Sequence, residues 1–432
     1  MPEYSIPYGA GAVQLKLPEG ITVSELRGKP MEALPDLEAA IHQELASPVA
    51  CAPLRERAQG KNSATIVVGD PTHYNAYEIW LPAVLGELNA CGVRDERITL
   101  YLASGTQGAL SDEQKLKVFG PEIVKRVKIL DHDCDATDRM EKVGRTLNGT
   151  ILNIDRRVLN ADLLLMVGGV QYHYFSGYTG GPKAIMPGCA GRDSILQNSK
   201  YAIDPRSGDI HPAVGPGSIV GNPVSEDMHQ CCTVVKPDMC INVVLNGGRR
   251  VAAIRGGDYG LVLRYCAKFL DEHYRLPTAP ANIAIIGAGG APRDATLFQA
   301  YKSLRHVVGA LAPEASVIWL AKCEGGEGGV EMAVHRGWTT DDLREQLKRD
   351  PAPVTLCALS MRKIAQRFDV HLVSDLGDAI GEGWSFTPHR DLNSALSAVV
   401  RKKAGKQRWL VGTDLSYLLP VKPERDGREA GK

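Results

Sequence analysis

Two rhythms of apolar residues run along this chain. Short unbroken runs at 64–68, 98–102, 127–130 and 163–167 mark strands buried on both faces of a parallel sheet. Between the first two, residues 77–90 place Ile79, Trp80, Val84, Leu85 and Leu88 at helical spacing, and Cys91-Gly92 ends the pattern. Residues 233–245 and 251–254, joined by Asn246-Gly247-Gly248, predict a β-hairpin, and 259–272 a helix. The segment 275–280, with two prolines, reads as a linker. A fresh pattern follows it. Strands are expected at 283–286, 317–320, 354–356 and 371–373, and helices at 296–310, 341–348, 361–368 and 392–403. Residues 10–24 predict a hairpin arm and 409–411 a last strand.

Strands alternating with helices imply βαβ crossovers. The expected fold is therefore two α/β domains with mostly parallel sheets and an interdomain cleft. Residues 1–276 would form the N-terminal domain, with 406–432 returning to it, and 277–405 the C-terminal domain.

Composition narrows the function. Lysine plus arginine equals aspartate plus glutamate at 50 each, so no basic excess points to nucleic acid, and a small-molecule ligand is expected. The first residues do not join a charged start to an apolar core, so no signal peptide is expected. No apolar run reaches the roughly 18 residues of a membrane span. Ten cysteines without a C-x-x-C pair suit reduced thiols, and the expected compartment is the cytoplasm.

The candidate chemistry gathers after the run at 163–167. There, HYFSGYTGGPKAIMPG spans 173–188. Past the carboxyl end of a parallel strand is where open α/β sheets bind ligands. Gly177, Gly180 and Gly181 allow close backbone approach, and Lys183 stands between Pro182 and Pro187. Residue types leave two functions open for Lys183: a counter-charge in an anion-binding loop, or a covalent or catalytic amine. Ala184 follows it, so the loop is not a Walker sequence. Other clusters weigh less. Asp131-His132-Asp133-Cys134 has metal-ligand composition, but neighbours on a strand alternate faces, so a strand end followed by a turn is expected. Gly287-Ala288-Gly289-Gly290 lacks the last glycine of a dinucleotide fingerprint, and Cys323–Gly329 is a candidate lid.

The spacing His-x-x-x-Gly-x-x-Gly-Gly-x-Lys-x-Ile-x-Pro-Gly resembles the signature of the lactate racemase family, which uses a nickel-pincer nucleotide. Asp70-Pro71-Thr72, Ala103-Ser104-Gly105 and Gly289-Gly290-Ala291-Pro292-Arg293-Asp294 with Phe298-Gln299-Ala300-Tyr301-Lys302 resemble further motifs of that family, in order along the chain. The resemblance implies a racemase or epimerase of an α-hydroxy acid, with cofactor-biosynthesis proteins as partners. It implies Lys183 as the attachment point of the cofactor and His173 as an acid/base beside the nickel. Asp70, Thr72, Ser104, Gly105, Gly180 and Gly181 would bind the cofactor, and Gln299 and Lys302 the substrate. Four positions depart from the family. Gln107 stands where its second acid/base histidine is found, and Ser199 where its nickel-ligating histidine is found. Phe298 replaces a tyrosine, and His73 an arginine. His73 is accordingly a candidate second base and substrate ligand. Water, the substrate, or a histidine from elsewhere such as His73, His211 or His229 are candidate substitutes for the missing metal ligand.

Overall fold

The computed structural model describes residues 3–17, 21–69, 71, 73–402 and 407–423. The chain divides into two compact units. One comprises Pro30–Ile203 and His211–Glu272, the other Met1–Lys29, Asp204–Ile210 and His273–Lys432.

The first unit is built on a six-stranded sheet in the order Val251–Gly257, Met239–Leu245, Leu163–Gly169, Ala64–Gly69, Ile98–Ala103, Lys128–Asp131. All neighbours pair parallel except the first two, which form the expected antiparallel hairpin. The chain leaves Ala64–Gly69 toward Ile98–Ala103 and later returns on its other side as Leu163–Gly169. The strand order therefore reverses between Ala64–Gly69 and Leu163–Gly169, which opens a crevice at their carboxyl ends. Both strands are buried throughout, as their unbroken apolar runs require. The helix Tyr77–Ala90 packs Tyr77, Trp80, Leu81, Val84, Leu85 and Leu88 into the core. Ile79, expected on that face, is 57% exposed: it lies about 100° round the helix from Trp80, and Tyr77 and Leu81 complete the stripe instead.

The second unit carries a wholly parallel six-stranded sheet: Thr387–His389, Asp369–Val373, Leu311–Leu320, Ala281–Gly287, Trp409–Gly412, Val23–Glu25. The hairpin of Glu3–Tyr8 and Gly11–Lys16 lays Ile6 and Leu15 on its core. Two expectations are corrected here. Trp409–Gly412 does not return to the first sheet; it is an inner strand of the second, buried at every position and flanked by Ala281–Gly287 and Val23–Glu25. Residues 354–356 are not a strand but the start of the helix Pro353–Arg367, where Pro353 takes the first turn and lacks no needed donor. In the first unit, 233–235 likewise ends the helix Pro223–Val235 rather than starting the hairpin. Among the described residues, no helix is long and apolar enough to cross a membrane.

Candidate functional site

The turn that bears Lys183 lies at the crevice of the first sheet. Gly181–Ala184 is a single 3-10 turn packed against the ends of Ala64–Gly69 and Leu163–Gly169. Gly180 and Gly181 both have positive φ, 80° and 50°. Asn242, buried in the neighbouring strand, explains the tightness. Its Oδ1 accepts from Gly181 N at 2.9 Å, while its amide donates to the carbonyls of Gly168 and Ile241. A Cβ on Gly180 would meet that Oδ1 at 2.9 Å, and one on Gly69 would meet the Ala184 Cβ at 3.4 Å. Lys183 is half-buried, its backbone fixed by Lys183 N to Gly180 O and Gly188 N to Lys183 O, each 3.2 Å. The buried thiol of Cys189 donates to Ala184 O at 3.2 Å.

The turn after Ile98–Ala103 meets the same loop. Gly105 N donates to Gly188 O at 3.2 Å, and Gly105 (φ 60°) would bring a Cβ to 3.4 Å from Pro187. The Ser104 hydroxyl oxygen is buried without a hydrogen-bond partner among the described residues. That is an orphaned polar group beside the lysine loop.

His173 sits on a miniature hairpin, Tyr172–His173 paired with Gly177–Tyr178. Tyr172 and Tyr178 both donate to Asp271 Oδ1 at 2.8 Å, which anchors that hairpin from both strands. His173 Nδ1 accepts from Phe175 N at 3.2 Å and Ser176 N at 3.1 Å. The Ser176 hydroxyl lies 3.0 Å from the same nitrogen, so three groups of one short turn fix the ring plane. The ring stacks on Tyr174 at 4.4 Å between centroids.

The structure thus brings Lys183, Ser104, Gly105, Gly180 and Gly181 together and sets His173 on the hairpin that follows the same strand, Leu163–Gly169. Gln107 is exposed on the turn after Ser104. His73 is exposed and its carbonyl accepts from the Asn75 amide at 3.2 Å. Ser199 is buried at the end of the helix Arg192–Ser199. Its neighbour Asn198 donates to the buried Asp227, which also accepts from Thr146 and Thr150. His229 is half-buried beside Tyr259. Burial pushes it below the ordinary histidine value, and Arg264 adds to this. His211 Nδ1 accepts from Ala213 N. Among the described residues, no three His, Cys, Asp or Glu side chains assemble as a metal set. Asp70 and Thr72 lie outside the described residues.

Gln299 and Lys302 belong to the second unit, on the helix Leu297–Val307. Thr296 caps it, accepting from Gln299 N at 3.2 Å; Gln299 is exposed and Lys302 half-buried. Lys302 lies near enough to join burial in pushing His306 down to about 3. The candidate lid is pinned: Gly326 O and Glu327 O accept from Leu297 N and Phe298 N, and Trp384 Nε1 donates to Glu327 at 2.7 Å. Asp131-His132-Asp133-Cys134 is a strand end and turn. Its histidine is turned inward to Tyr101 and Ala190.

Sequence reasoning missed Asn242 and the Tyr101–His132–Asp155 group. Asn242 left a signal, a lone amide in the apolar run Met239–Leu245, since a buried amide needs partners.

A doubly wound sheet with a lysine turn at its switch point defines an α/β unit, and comparison with known proteins identifies the kind. Residues 8–209 match the family model described as the lactate racemase N-terminal domain, and 276–411 the one described as the lactate racemase C-terminal domain. The chain belongs to the lactate racemase family, a family of isomerases. It is 28% identical over 335 residues to a lactate racemase of Thermoanaerobacterium thermosaccharolyticum, covering 76% of each chain. It is 27% identical over 350 residues to that of Lactiplantibacillus plantarum, covering 79% of this chain and 80% of the other. Its fold matches the lactate racemase apoprotein structure from Thermoanaerobacterium thermosaccharolyticum with a TM-score of 0.88 at 24% identity, over 97% of this chain and 99% of that one. A Thermotoga maritima protein matches at 0.64 and 15% identity, over 92% of this chain and 100% of that one.

Proposed function

We propose that this protein is a racemase or epimerase of an α-hydroxy acid that works with a nickel-pincer nucleotide joined to Lys183. The seat of Lys183 carries the proposal: a half-buried amine on a glycine-walled turn at the switch point of the sheet. The residues fit the attachment. Gly69, Gly105, Gly180 and Gly181 let the turn under Lys183 close tightly, since a Cβ on them would press on Ala184, Pro187, Asn242 or Leu263, and the Ser104 hydroxyl, without a partner among the described residues, is available to hydrogen-bond a bound group. Asp70 and Thr72 join this set by family resemblance. On the metal side the chain offers the Ser199 hydroxyl in place of an imidazole, a poorer ligand for nickel. Water, the substrate, or one of His73, His211 and His229 would have to make up the difference.

When bound, the nickel-pincer nucleotide supplies a hydride acceptor. The chain's own residues handle binding and protons. By family resemblance, Lys302 and Gln299 are the residues for the substrate carboxylate. His173 takes the substrate's hydroxyl proton on its outer ring nitrogen, its ring plane set by the contacts of Nδ1 with Phe175 N and Ser176 N. His73 serves the opposite face, because Gln107 cannot exchange a proton near neutrality. Proteins that make the cofactor are the implied partners.

The test is to produce the protein together with a cofactor-making pathway. Intact mass should show an adduct that maps to Lys183, and chiral chromatography should show exchange of at least one α-hydroxy acid; K183R should lack both. Absence of any adduct rejects the cofactor and leaves Lys183 as an anion-binding residue of a nickel-independent enzyme. An adduct without exchange selects a second reading, a family member that binds the cofactor without racemase activity. Gln107 and Ser199, in place of two family histidines, favour that reading.

A further inference from the structure

Beside the exit of the lysine loop runs a buried chain of contacts that the proposed reaction does not use. His132 and Asp155 are 1% and 0% exposed, and Tyr101 is fully buried. His132 Nε2 lies 3.1 Å from Ala190 O, and its Nδ1 2.9 Å from the Tyr101 hydroxyl. That hydroxyl lies 2.8 Å from Asp155 Oδ2. Arg157 holds the same carboxylate through Nε at 3.0 and 3.1 Å and through its terminal nitrogen at 2.7 Å.

Each of the three contacts, Ala190 to His132, His132 to Tyr101 and Tyr101 to Asp155, joins two electronegative atoms and needs a proton between them. A carbonyl only accepts, so Nε2 carries one. The other two contacts need two more. A neutral imidazole, a phenol and an ionised carboxylate supply two protons in all, one short of the three. The phenol keeps its proton, because burial raises it, with Cys189 and Asp155 adding to the shift. Asp155 stays ionised: burial raises it, but the bonds from Arg157 and Tyr101 outweigh that and leave it below the usual carboxylate range. The missing proton therefore belongs on the ring.

We infer that His132 is a buried imidazolium at neutral pH, donating Nδ1–H to Tyr101 and Nε2–H to Ala190 while Tyr101 donates to Asp155. Burial opposes this and is the largest influence on the ring, while the Ala190 carbonyl, Asp155 and Asp133 favour the charge and Arg157 disfavours it. The hydrogen-bond count decides, because a neutral ring would leave two lone pairs facing each other with no water between them. The charged groups around the cluster are two acids, Asp155 and Asp133, and two bases, Arg157 and Arg139, the last 3.9 Å from Asp155 and 3.4 Å from Asp133. Cys189 on the loop is neutral, its thiol raised by burial.

His132 is then a positioning residue. Ala190 ends the lysine loop, and its neighbours are fixed by Asp155 N to Cys189 O at 3.1 Å and Gly191 N to Asn153 O at 2.9 Å. Tyr101 precedes the Ser104-Gly105 turn on its strand. The charged ring ties that strand to the end of the loop bearing Lys183, whatever reaction the loop serves.

The test uses the full chain labelled with ¹⁵N in histidine, with His132 assigned by through-bond correlation. Long-range ¹H–¹⁵N spectra should show both ring nitrogens protonated at pH 7 and beyond the ordinary histidine value of about 6.5. Y101F removes the need for the third proton and should return the ring to a neutral Nε2–H form at pH 7. A folded ring that keeps its proton to higher pH contributes stability that is full below the unfolded value and lost as pH rises through the folded one. The melting-temperature gap between wild type and Y101F should therefore narrow from about pH 6 to about pH 9, a window around the ordinary value. A neutral His132 in the wild type at pH 7 overturns the inference, even if Y101F fails to fold.

Discussion

Both sheets end in glycine-rich corners, and the two corners present opposite charges. In the first unit the glycines beside Lys183 let the chain pack on itself, a Cβ on Gly180 or Gly181 reaching Val170 at 2.8 Å or Leu263 at 3.2 Å, and the charge set among them is an amine. In the second, Gly289 would bring a Cβ to 2.6 Å from the Asp414 carboxylate, and Gly290 to 3.0 Å from Gly9 O. There too the protein fills its own corner. Asp414 pairs with Arg293 at 3.2 Å, and the buried Asp294 accepts from Gly9 N at 2.7 Å and Lys322 N at 3.3 Å. Glycine pattern alone does not separate a ligand seat from a packed corner. What separates them is the charge they present, an amine in the first and two carboxylates in the second; a buried polar atom without a hydrogen-bond partner among the described residues occurs at both, Ser104 Oγ and Asp294 Oδ1.

The comparison breaks most visibly at Lys183. K183A should abolish the mass adduct and all racemisation while moving stability by no more than about 0.5 kcal/mol, as expected of a side chain that is not a core residue. Intact mass, chiral chromatography and urea melts read these together. D294A should do the reverse, costing about 3 kcal/mol because two backbone donors lose their acceptor in a buried corner. A urea midpoint unchanged from wild type would show that the second corner is not self-filled. N242A falls between the two. It strips partners from Gly181 N and from two carbonyls, should cost about 2 kcal/mol, and should also lower cofactor loading. Loss of stability with full loading would mean that the lysine turn holds its shape without the amide.

Smaller effects test the second sheet. Asp369 is held well below the usual carboxylate range by its bond from His371, burial opposing and Lys402 and Ser316 assisting. A depressed carboxylate contributes stability above its unfolded value, about 3.9, that disappears as pH falls toward the folded value. D369N should therefore be less stable than wild type at pH 7, with the gap closing in acid titrations below about pH 4. T296A removes the cap of the helix bearing Gln299 and Lys302 and should cost about 1 kcal/mol. A thermal melt measures it.

Much of the architecture was legible where one principle acted alone. Runs such as 163–167 and 283–286 are apolar without interruption because both faces of the strand are covered. The run at 354–356 misled because three apolar or β-branched residues fit a strand as well as a helix start. Pro353 and the spacing of buried residues to Met361 decide for the helix. The site was legible in part. Lys183 and His173 stand in a local spacing, and so do the glycines beside them. Asn242 and the Asp155 carboxylate could not be read that way. Asn242 meets Gly181 from 61 residues away and Asp155 meets Tyr101 from 54, and a single sequence shows no sign of such pairings.

The second sheet takes its edge strand, Val23–Glu25, from near the start of the chain and that strand's sole sheet neighbour, Trp409–Gly412, from near its end. During synthesis, Val23–Glu25 leaves the ribosome with nothing to pair with until almost the whole polypeptide has followed. The Lys183-bearing sheet has all its strands by Gly257 and can close first. A nascent chain stalled before Trp409 would therefore expose one orphan strand near its front and an unfinished sheet at its rear, the state in which a chaperone would find most to hold.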